Sequence, residues 1–238
     1  MKIALIGYGK MGQAIEKIAL QKGHEITLRI SSDNLQYLTK ENLQAADVAI
    51  EFTGAESGYE NIKTCIDACV PIVCGSTGWL NNWDSAAKYC NEKNGTLLYA
   101  SNFSIGVNIF FEVNTFLAKL MNNHSEYDVS ITETHHTQKK DAPSGTAITL
   151  AEQVLQQITQ KKSWINSIAN QPTQLPIISE RINPAPGTHT IHYTSPIDTI
   201  EITHTAHNRI GFANGAILAA EFITGKKGIF TMKEVLGL

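Results

Sequence analysis

The chain has 238 residues, 42% of them hydrophobic and 17% charged, and a formal net charge of −3. That length supports one large domain or two small ones with real cores, and the composition is that of an ordinary globular protein. The slightly acidic balance argues against a nucleic-acid surface, and no apolar run is long enough to span a bilayer. The chain opens directly on a strand pattern with no signal peptide. Its four cysteines, Cys65, Cys69, Cys74 and Cys90, are therefore expected as reduced thiols in a cytoplasm. Cys65 and Cys69, four apart on an expected helix, read as packing residues.

Lys2 to Ile6 is a short buried-strand pattern that runs into Gly7-Tyr8-Gly9-Lys10-Met11-Gly12. Met11, Ala14, Ile15, Ile18 and Ala19 then mark one helical face, Gly23 reads as its C-terminal cap, and Glu25 to Ile30 as a second strand. A lone GxGxxG is weak evidence, but strand, glycines, helix and strand in this order are the context of a dinucleotide fold. The end of the second strand should name the cofactor. An acid there holds the ribose hydroxyls of NAD, and a nearby cation takes the 2′-phosphate of NADP. Here Arg29-Ile30-Ser31-Ser32-Asp33 has no acid at the strand end, while Arg29, Ser31 and Ser32 could serve a phosphate. The expected cofactor is NADPH or NADH, leaning to NADPH. The plainer reading of Arg29 is a solvated strand residue.

Asp47 to Thr53, Pro71 to Cys74 and Thr96 to Ala100 read as further strands, alternating with helices over Gly58 to Cys69 and Asn82 to Lys93. This alternation argues for an α/β fold with an N-terminal, doubly wound parallel sheet of Rossmann type. Ligands then lie beyond the carboxyl ends of the strands, where Thr53, Gly75-Ser76-Thr77 and Ser101-Asn102-Phe103-Ser104 fall. Cys74 beside Gly75 invites a nucleophilic reading, but it lies inside the strand and no base is placed near it by sequence.

Past Gly106 the pattern changes to a long helix (Val107, Phe110, Phe111, Val113, Asn114, Leu117, Leu120, Met121) and then a strand over Tyr127 to Thr134. Asp141-Ala142-Pro143-Ser144-Gly145 is turn chemistry. Ala147, Ile148, Leu150, Ala151, Val154, Leu155 and Ile158 then recur at helical spacing. Ser144 as N-cap would present the N–H groups of Gly145 and Thr146 at a helix N-terminus, a seat for an anion. With His135, His136, Lys139 and Lys140 beside it, the stretch suits a small substrate that carries carboxylates and must be protonated. Solvated residues at a strand end are the plainer alternative. A metal site is disfavoured, since the lysines would repel a cation.

Residues 163–175 read as a loop. Ile177 to Ile182, Thr188 to Thr194 and Thr199 to Thr205 read as strands of an open mixed sheet in an α+β second domain, one face on a helix and one free for another subunit. His189, His192, His204 and His207 on these strands are expected at the surface or at an interface; a zinc site is the alternative, though no spacing among them is diagnostic. Gly211 to Thr224 reads as a last long helix capped by Gly225, and Thr231 starts a short final helix. The expected division is residues 1–105 plus 212–238 for dinucleotide binding and 106–211 for substrate and assembly.

The run Glu133-Thr134-His135-His136 to Lys139, then Asp141-Ala142-Pro143-Ser144-Gly145-Thr146-Ala147, resembles the signature of the dihydrodipicolinate reductase (4-hydroxy-tetrahydrodipicolinate reductase) family. The resemblance implies NAD(P)H-dependent reduction of a cyclic imine dicarboxylate, or its hydrated precursor, in the diaminopimelate route to lysine. It implies His135 as proton donor or acceptor, Lys139 as a second proton donor, and His136, Gly145 and Thr146 as substrate contacts. For the cofactor it implies Gly7, Tyr8, Gly9, Lys10, Met11, Gly12, Ser31, Thr53, Gly75, Ser76, Thr77, Ser101, Asn102, Phe103 and Ser104. It also implies a homotetramer. Catalytic residues and cofactor loops fall on different expected domains, so the two are expected to meet by closure, and composition leaves no nucleic-acid or membrane partner to expect. The chain departs from the family pattern in having Glu51-Phe52-Thr53 for Asp-Phe-Thr, Ser76 for Thr, and no acid at the end of the second strand, Asp33 coming late by a residue or two. Two other readings remain open at this point: a related reductase working through a Cys74 thioester, and a non-catalytic NAD(P)-binding sensor.

Overall fold

The computed structural model describes residues 1–208 and 210–238. They form two compact units, residues 1–105 with 210–238, and Gly106–Asn208.

The first unit is built on six strands: β1 (Lys2–Ile6), β2 (Glu25–Ile30), β3 (Val48–Glu51), β4 (Ile72–Cys74), β5 (Thr96–Tyr99) and β11 (Gly228–Phe230). Their order across the sheet is β2-β1-β3-β4-β5-β11, and every pairing is parallel. Successive side chains point to opposite faces, so the near-continuous apolar runs must be covered on both sides. Ile3, Leu5, Val48 and Ile50 pack against Ile15 and Ala19 of α1 (Lys10–Gln21) and Ala216, Ile217 and Ala220 of α7 (Ile210–Ile223). Ala4, Ile6, Ala49 and Ile72 pack against Ile62 and Ile66 of α3 (Gly58–Asp67) and Ala86 and Cys90 of α4 (Trp83–Glu92).

The expected strands and helices of this unit are found, with ends shifted by one or two residues. Helix α2 (Lys40–Leu43), capped by Thr39, was not foreseen, and neither was β11. Three residues are too few to show a period, and β11 is held by its parallel register with residues 96–98. The last helix, α8 (Met232–Leu236), starts at Thr231, which forms a capping box with Glu234.

In the second unit, β6 (Asp128–His135) lies at the centre of the order β10-β9-β6-β8-β7. Strands β9 (Thr188–Thr194) and β10 (Thr199–Thr205) are antiparallel additions, whereas β8 (Gln174–Arg181) runs parallel to β6. One face, with Val129, Ile131, Leu175, Ile177, Ile191 and Tyr193, packs on α5 (Ile105–Met121) and α6 (Gly145–Gln157). The other face is polar. Thr203 bonds Thr190 at 3.1 Å, His192 meets Glu201 at 2.7 Å, and Thr134 donates to Glu180 at 2.9 Å. The loop expected over residues 163–175 needs correction: β7 (Ser163–Ile165) pairs in parallel with residues 174–176. Ser163-Trp164-Ile165 is too short to show a period, and the strand is held by its partner.

Candidate active site

Alternation along β6 puts Glu133 and His135 on the same face as Val129 and Ile131, where β6 would otherwise be apolar. The sheet register then builds a row across four strands: His204 opposite His189, His189 opposite Glu133, and Glu133 opposite Ser179. One step along, Arg181 lies opposite His135.

Glu133 is fully buried, and a buried carboxylate needs donors. The backbone N–H of Ser144 donates to both its oxygens at 3.1 Å, the Ser179 hydroxyl to Oε1 at 2.7 Å, and Arg181 Nη2 to Oε1 at 3.1 Å. Burial acts to raise the Glu133 pKa. The neighbouring His189 and the hydrogen bonds from Ser144, Ser179 and Arg181 outweigh it and hold the carboxyl well below the usual range. Arg181 also donates to the carbonyl of Asp141 at 2.7 Å, which ties the turn after β6 to β8.

His135 is 8% exposed. Its Nδ1 lies 3.4 Å from Glu133 Oε2, buried and without an aligned hydrogen bond. Burial and the neighbouring His189, Lys139 and Arg181 push its pKa down to about 4, with Glu133 opposing them. Its other nitrogen, Nε2, lies against Gly187, where a Cβ would sit 3.0 Å away and φ is +153°. Only glycine fits so close to that flank of the ring. The His189 ring stands edge-on to His135, with centroids 5.1 Å apart, and its Nε2 meets Ser144 Oγ at 3.1 Å.

Ser144 caps α6 as expected, its hydroxyl accepting from the N–H of Ala147. Gly145 and the buried Thr146 therefore open this helix beside Glu133, and a side chain at position 145 would meet nothing within 4 Å. Lys139 is held by Asp141, Nζ lying 2.9 and 2.8 Å from its two oxygens, while Lys140 is exposed. His136 is half-buried, and its carbonyl accepts from the N–H of Lys139 at 3.1 Å.

One expectation is corrected here. His189 is not a surface histidine: it is 5% exposed and belongs to the Glu133 cluster. Glu133, Ser179 and Arg181 were also missed as site-building residues. The ligand atoms of Glu133, His135 and His189 lie within 4.8 Å of one another, a spacing that could gather a cation. The Arg181 guanidinium already neutralises Glu133, which disfavours that use.

In the first unit, Gly7 (φ +96°) makes the turn after β1, and the N–H groups of Gly7 and Tyr8 donate to the carbonyl of Ile30. A Cβ at position 12 would sit 2.5 Å from the carbonyl oxygen of Gly7, so only glycine lets the helix approach so closely. Gly9 has open space around it and gives α1 no side-chain cap. Beside this turn is a cavity of about 520 Å³ lined by residues 9–11, 52–55 and 75–77. A helix N-terminus facing a cavity, with glycine where a side chain would project, fits a dinucleotide pyrophosphate.

Beneath the cavity lies a second buried carboxylate, Glu51. It accepts from the Thr53 N–H at 2.9 Å, from the Thr53 hydroxyl, from Ser76 Oγ at 2.8 Å and from Cys74 Sγ at 3.0 Å. The structure thus brings Thr53 and Ser76 together through Glu51. Cys74 is buried, and burial followed by the Glu51 charge pushes its thiol far up, the opposite of nucleophile activation. Phe103 stacks near Phe52 at 5.6 Å, and Asn102 Oδ1 accepts the Ser104 N–H at 2.9 Å, shaping the Ser101 to Ser104 loop. Ser31 is held in a local turn by Asn34, whose Oδ1 accepts its N–H at 2.7 Å.

Comparison with known proteins agrees with both halves. A family model described as dihydrodipicolinate reductase, N-terminus, matches residues 1–103, and one described as dihydrodipicolinate reductase, C-terminus, matches residues 106–236. The chain is 47% identical to a 4-hydroxy-tetrahydrodipicolinate reductase of Christiangramia forsetii, over 99% of this chain and 98% of that protein. It is 32% identical to one of Neisseria gonorrhoeae over 94% of this chain and 84% of that protein. Its fold is similar to the solved structure of dipicolinate-bound dihydrodipicolinate reductase from Paenisporosarcina sp. TG-14, with a TM-score of 0.75, 21% identity and 97% of each chain covered.

Proposed function

The chain belongs to the dihydrodipicolinate reductase family, and from that premise we infer that it reduces 4-hydroxy-tetrahydrodipicolinate to tetrahydrodipicolinate with a reduced pyridine nucleotide, in the diaminopimelate route to lysine. The observation that carries the reading is the near-complete match to a curated relative, with both of its halves represented. When bound, the nicotinamide supplies the hydride. Gly7, Tyr8, Gly9, Lys10, Met11 and Gly12 would hold the pyrophosphate end. Thr53, the Gly75-Ser76-Thr77 and Ser101-Asn102-Phe103-Ser104 loops, and Ser31 would hold the rest.

The remaining chemistry falls to the second unit. Gly145 and Thr146, at the N-terminus of α6, and His136 receive substrate carboxylates. Lys139 adds a cation, and a second proton donor if the family role carries over. The 4-hydroxyl group leaves with a proton from the neighbouring ring carbon as water, which makes the imine conjugated. Hydride supplied to that conjugated ring leaves an enamine, and His135 gives the enamine its proton. An imidazole suits that role near neutral pH once the substrate's two negative charges offset the cations around it.

The cofactor is NADPH or NADH, and the absence of an acid at the end of β2, where Ser31 and Ser32 stand, favours use of NADPH. A homotetramer is supported by the family resemblance and by the apolar side chains that α5 exposes at Ile109, Val113, Phe116 and Leu120. No helix among the described residues is long and apolar enough to cross a membrane. A cytoplasmic enzyme with four free thiols fits that picture.

The deciding experiment is cofactor oxidation by the purified protein with freshly generated 4-hydroxy-tetrahydrodipicolinate, NADH and NADPH run in parallel. Substrate-dependent oxidation is expected. Cofactor binding without turnover would return the chain to the sensor reading, and loss of activity in Cys74→Ser would favour the thioester reading.

A further inference from the structure

Glu133 Oε2 faces two imidazoles at once. His135 Nδ1 is 3.4 Å away and His189 Nε2 is 3.7 Å away. The two rings do not need it equally, because His189 Nε2 already has Ser144 Oγ at 3.1 Å. Nδ1 of His135 is buried and has no hydrogen-bond partner among the described residues. Glu133 itself cannot move freely, being pinned by Ser144, Ser179 and Arg181 from two other segments. A fixed carboxylate beside a buried, unpartnered ring nitrogen dictates which nitrogen keeps its hydrogen. The other nitrogen, Nε2, is on the Gly187 side of the ring, where only glycine fits so close.

We propose that Glu133 is the positioning residue of His135, holding Nδ1–H so that Nε2 is the atom that protonates the substrate, and that His189, fixed by Ser144, steadies the same carboxylate from β9. The proposal rests on the reductase reading above. A bound nicotinamide would supply hydride, and so the electron pair of the new ring C–H bond, to the conjugated imine left after water is lost. The displaced C=C electrons then form an enamine. The enamine takes the proton as the Nε2–H bond breaks, and its electrons stay on Nε2. His135 is left neutral with Nδ1–H toward Glu133, and water restores the proton at Nε2. In the free protein the 3.4 Å separation is long for a hydrogen bond, as such contacts are before substrate draws them together.

The charged and titratable groups around His135 are Glu133 on its own strand, Arg181 from β8, His189 from β9 with His204 behind it, and Lys139 with Asp141 from the following turn. Glu133 favours the imidazolium and His189 disfavours it. The two neighbours therefore pull the alkaline limb of kcat in opposite directions, which a purely structural role would not do.

The test is a set of kcat–pH profiles for wild type, Glu133→Gln, His189→Asn, His135→Gln and the double variant Glu133→Gln/His135→Gln, with thermal unfolding measured on each. Glu133→Gln is expected to lower kcat about 10²-fold, shift its alkaline limb to lower pH and change substrate KM little. His189→Asn is expected to shift the limb to higher pH. In the His135→Gln background, Glu133→Gln is expected to cost nothing more, because it acts through a ring that is no longer there. Equal losses from Glu133→Gln with and without His135 would overturn the proposal, as would limbs that move the same way in both single variants. Should Glu133→Gln fail to fold, His189→Asn decides the matter alone: an alkaline limb that stays in place or moves to lower pH would overturn the proposal. If wild type shows no substrate-dependent oxidation, it is the reductase reading that fails, and that outcome is separate from any of these.

Discussion

Arg29 and Glu16 hold each other beside the first glycine turn. Arg29 Nε donates to Glu16 Oε1 at 2.8 Å, Nη2 reaches the same oxygen, and the Tyr8 hydroxyl closes on Oε2. The hydrogen bond from Arg29 is the main reason that the Glu16 carboxyl lies below its ordinary pKa. Arg29 is thus neither a bare solvated residue nor a cation waiting for a 2′-phosphate. NADPH is still expected to serve at least as well as NADH, with Glu16 as a competitor for the guanidinium. An exposed ion pair of this kind is worth roughly 0.2–1 kcal/mol, so Glu16→Gln should raise the NADPH to NADH ratio of kcat/KM by up to about fivefold. Steady-state kinetics with both cofactors checks it. An unchanged ratio, or a wild-type kcat/KM for NADH tenfold above that for NADPH, would remove Arg29 from cofactor choice.

Glu51 ties the β3 and β4 ends into one surface, through Thr53 and Ser76. Glu51→Ala leaves several buried donors unpaired, each at a cost of about 1–3 kcal/mol. Two effects should appear together: a lower unfolding midpoint in urea, and a cofactor KM raised several-fold while substrate KM changes less. A stability loss with cofactor KM unmoved would make Glu51 a packing residue only.

Much of this was legible in the sequence, because period and punctuation coincide there. Gly7 to Gly12 between β1 and α1, and Ser144 before α6, are local signals with local causes. Glu133, His189 and Arg181 were harder, because what joins them is register between strands far apart in the chain. A signal was present nonetheless. Glu133 follows Val129 and Ile131 at period two, and His189 precedes Ile191 and Tyr193 in the same way. A charged residue on an otherwise apolar alternation needs a partner across the sheet. Strands β7 and β11 carry no such signal, since each is three residues long and defined by its neighbour.

Stability should fall with pH in two overlapping windows. His135 has its pKa lowered from 6.5 to about 4, so between those values the unfolded chain binds more protons and stability rises with pH. Glu133 has its pKa depressed, so its contribution is present above its unfolded value of 4.5 and is lost as pH falls below it. Urea midpoints from pH 7 to pH 4 should therefore decline, and His135→Gln should flatten the upper part of the decline by about 3 kcal/mol in all, the free-energy equivalent of such a shift. A variant with the wild-type slope would show that His135 is not buried as a neutral ring.

His135 and Lys139 should separate by kinetics. The two are four apart on a strand end and turn, so no helical face brings them together. Their roles differ because their surroundings differ. His135 is buried among charges, whereas Lys139 sits in a surface pair with Asp141. A general acid acts in the transition state, so His135→Gln should lower kcat by about 10² to 10⁴-fold with little change in substrate KM. Lys139 offers a fixed charge that also holds the ground-state dianion, so Lys139→Met should raise KM as well as lower kcat. Asp141 competes with that dianion for the ammonium group. Asp141→Asn should therefore lower substrate KM a few-fold and tighten inhibition by pyridine-2,6-dicarboxylate. Salt should weaken both interactions, because the pair is exposed. Cofactor KM should stay constant throughout, since none of the three lies in the glycine turn or its cavity. If Asp141→Asn raises substrate KM instead, the pair orders the turn rather than occupying the carboxylate's place. If His135→Gln keeps near-normal kcat, the proton comes from another group.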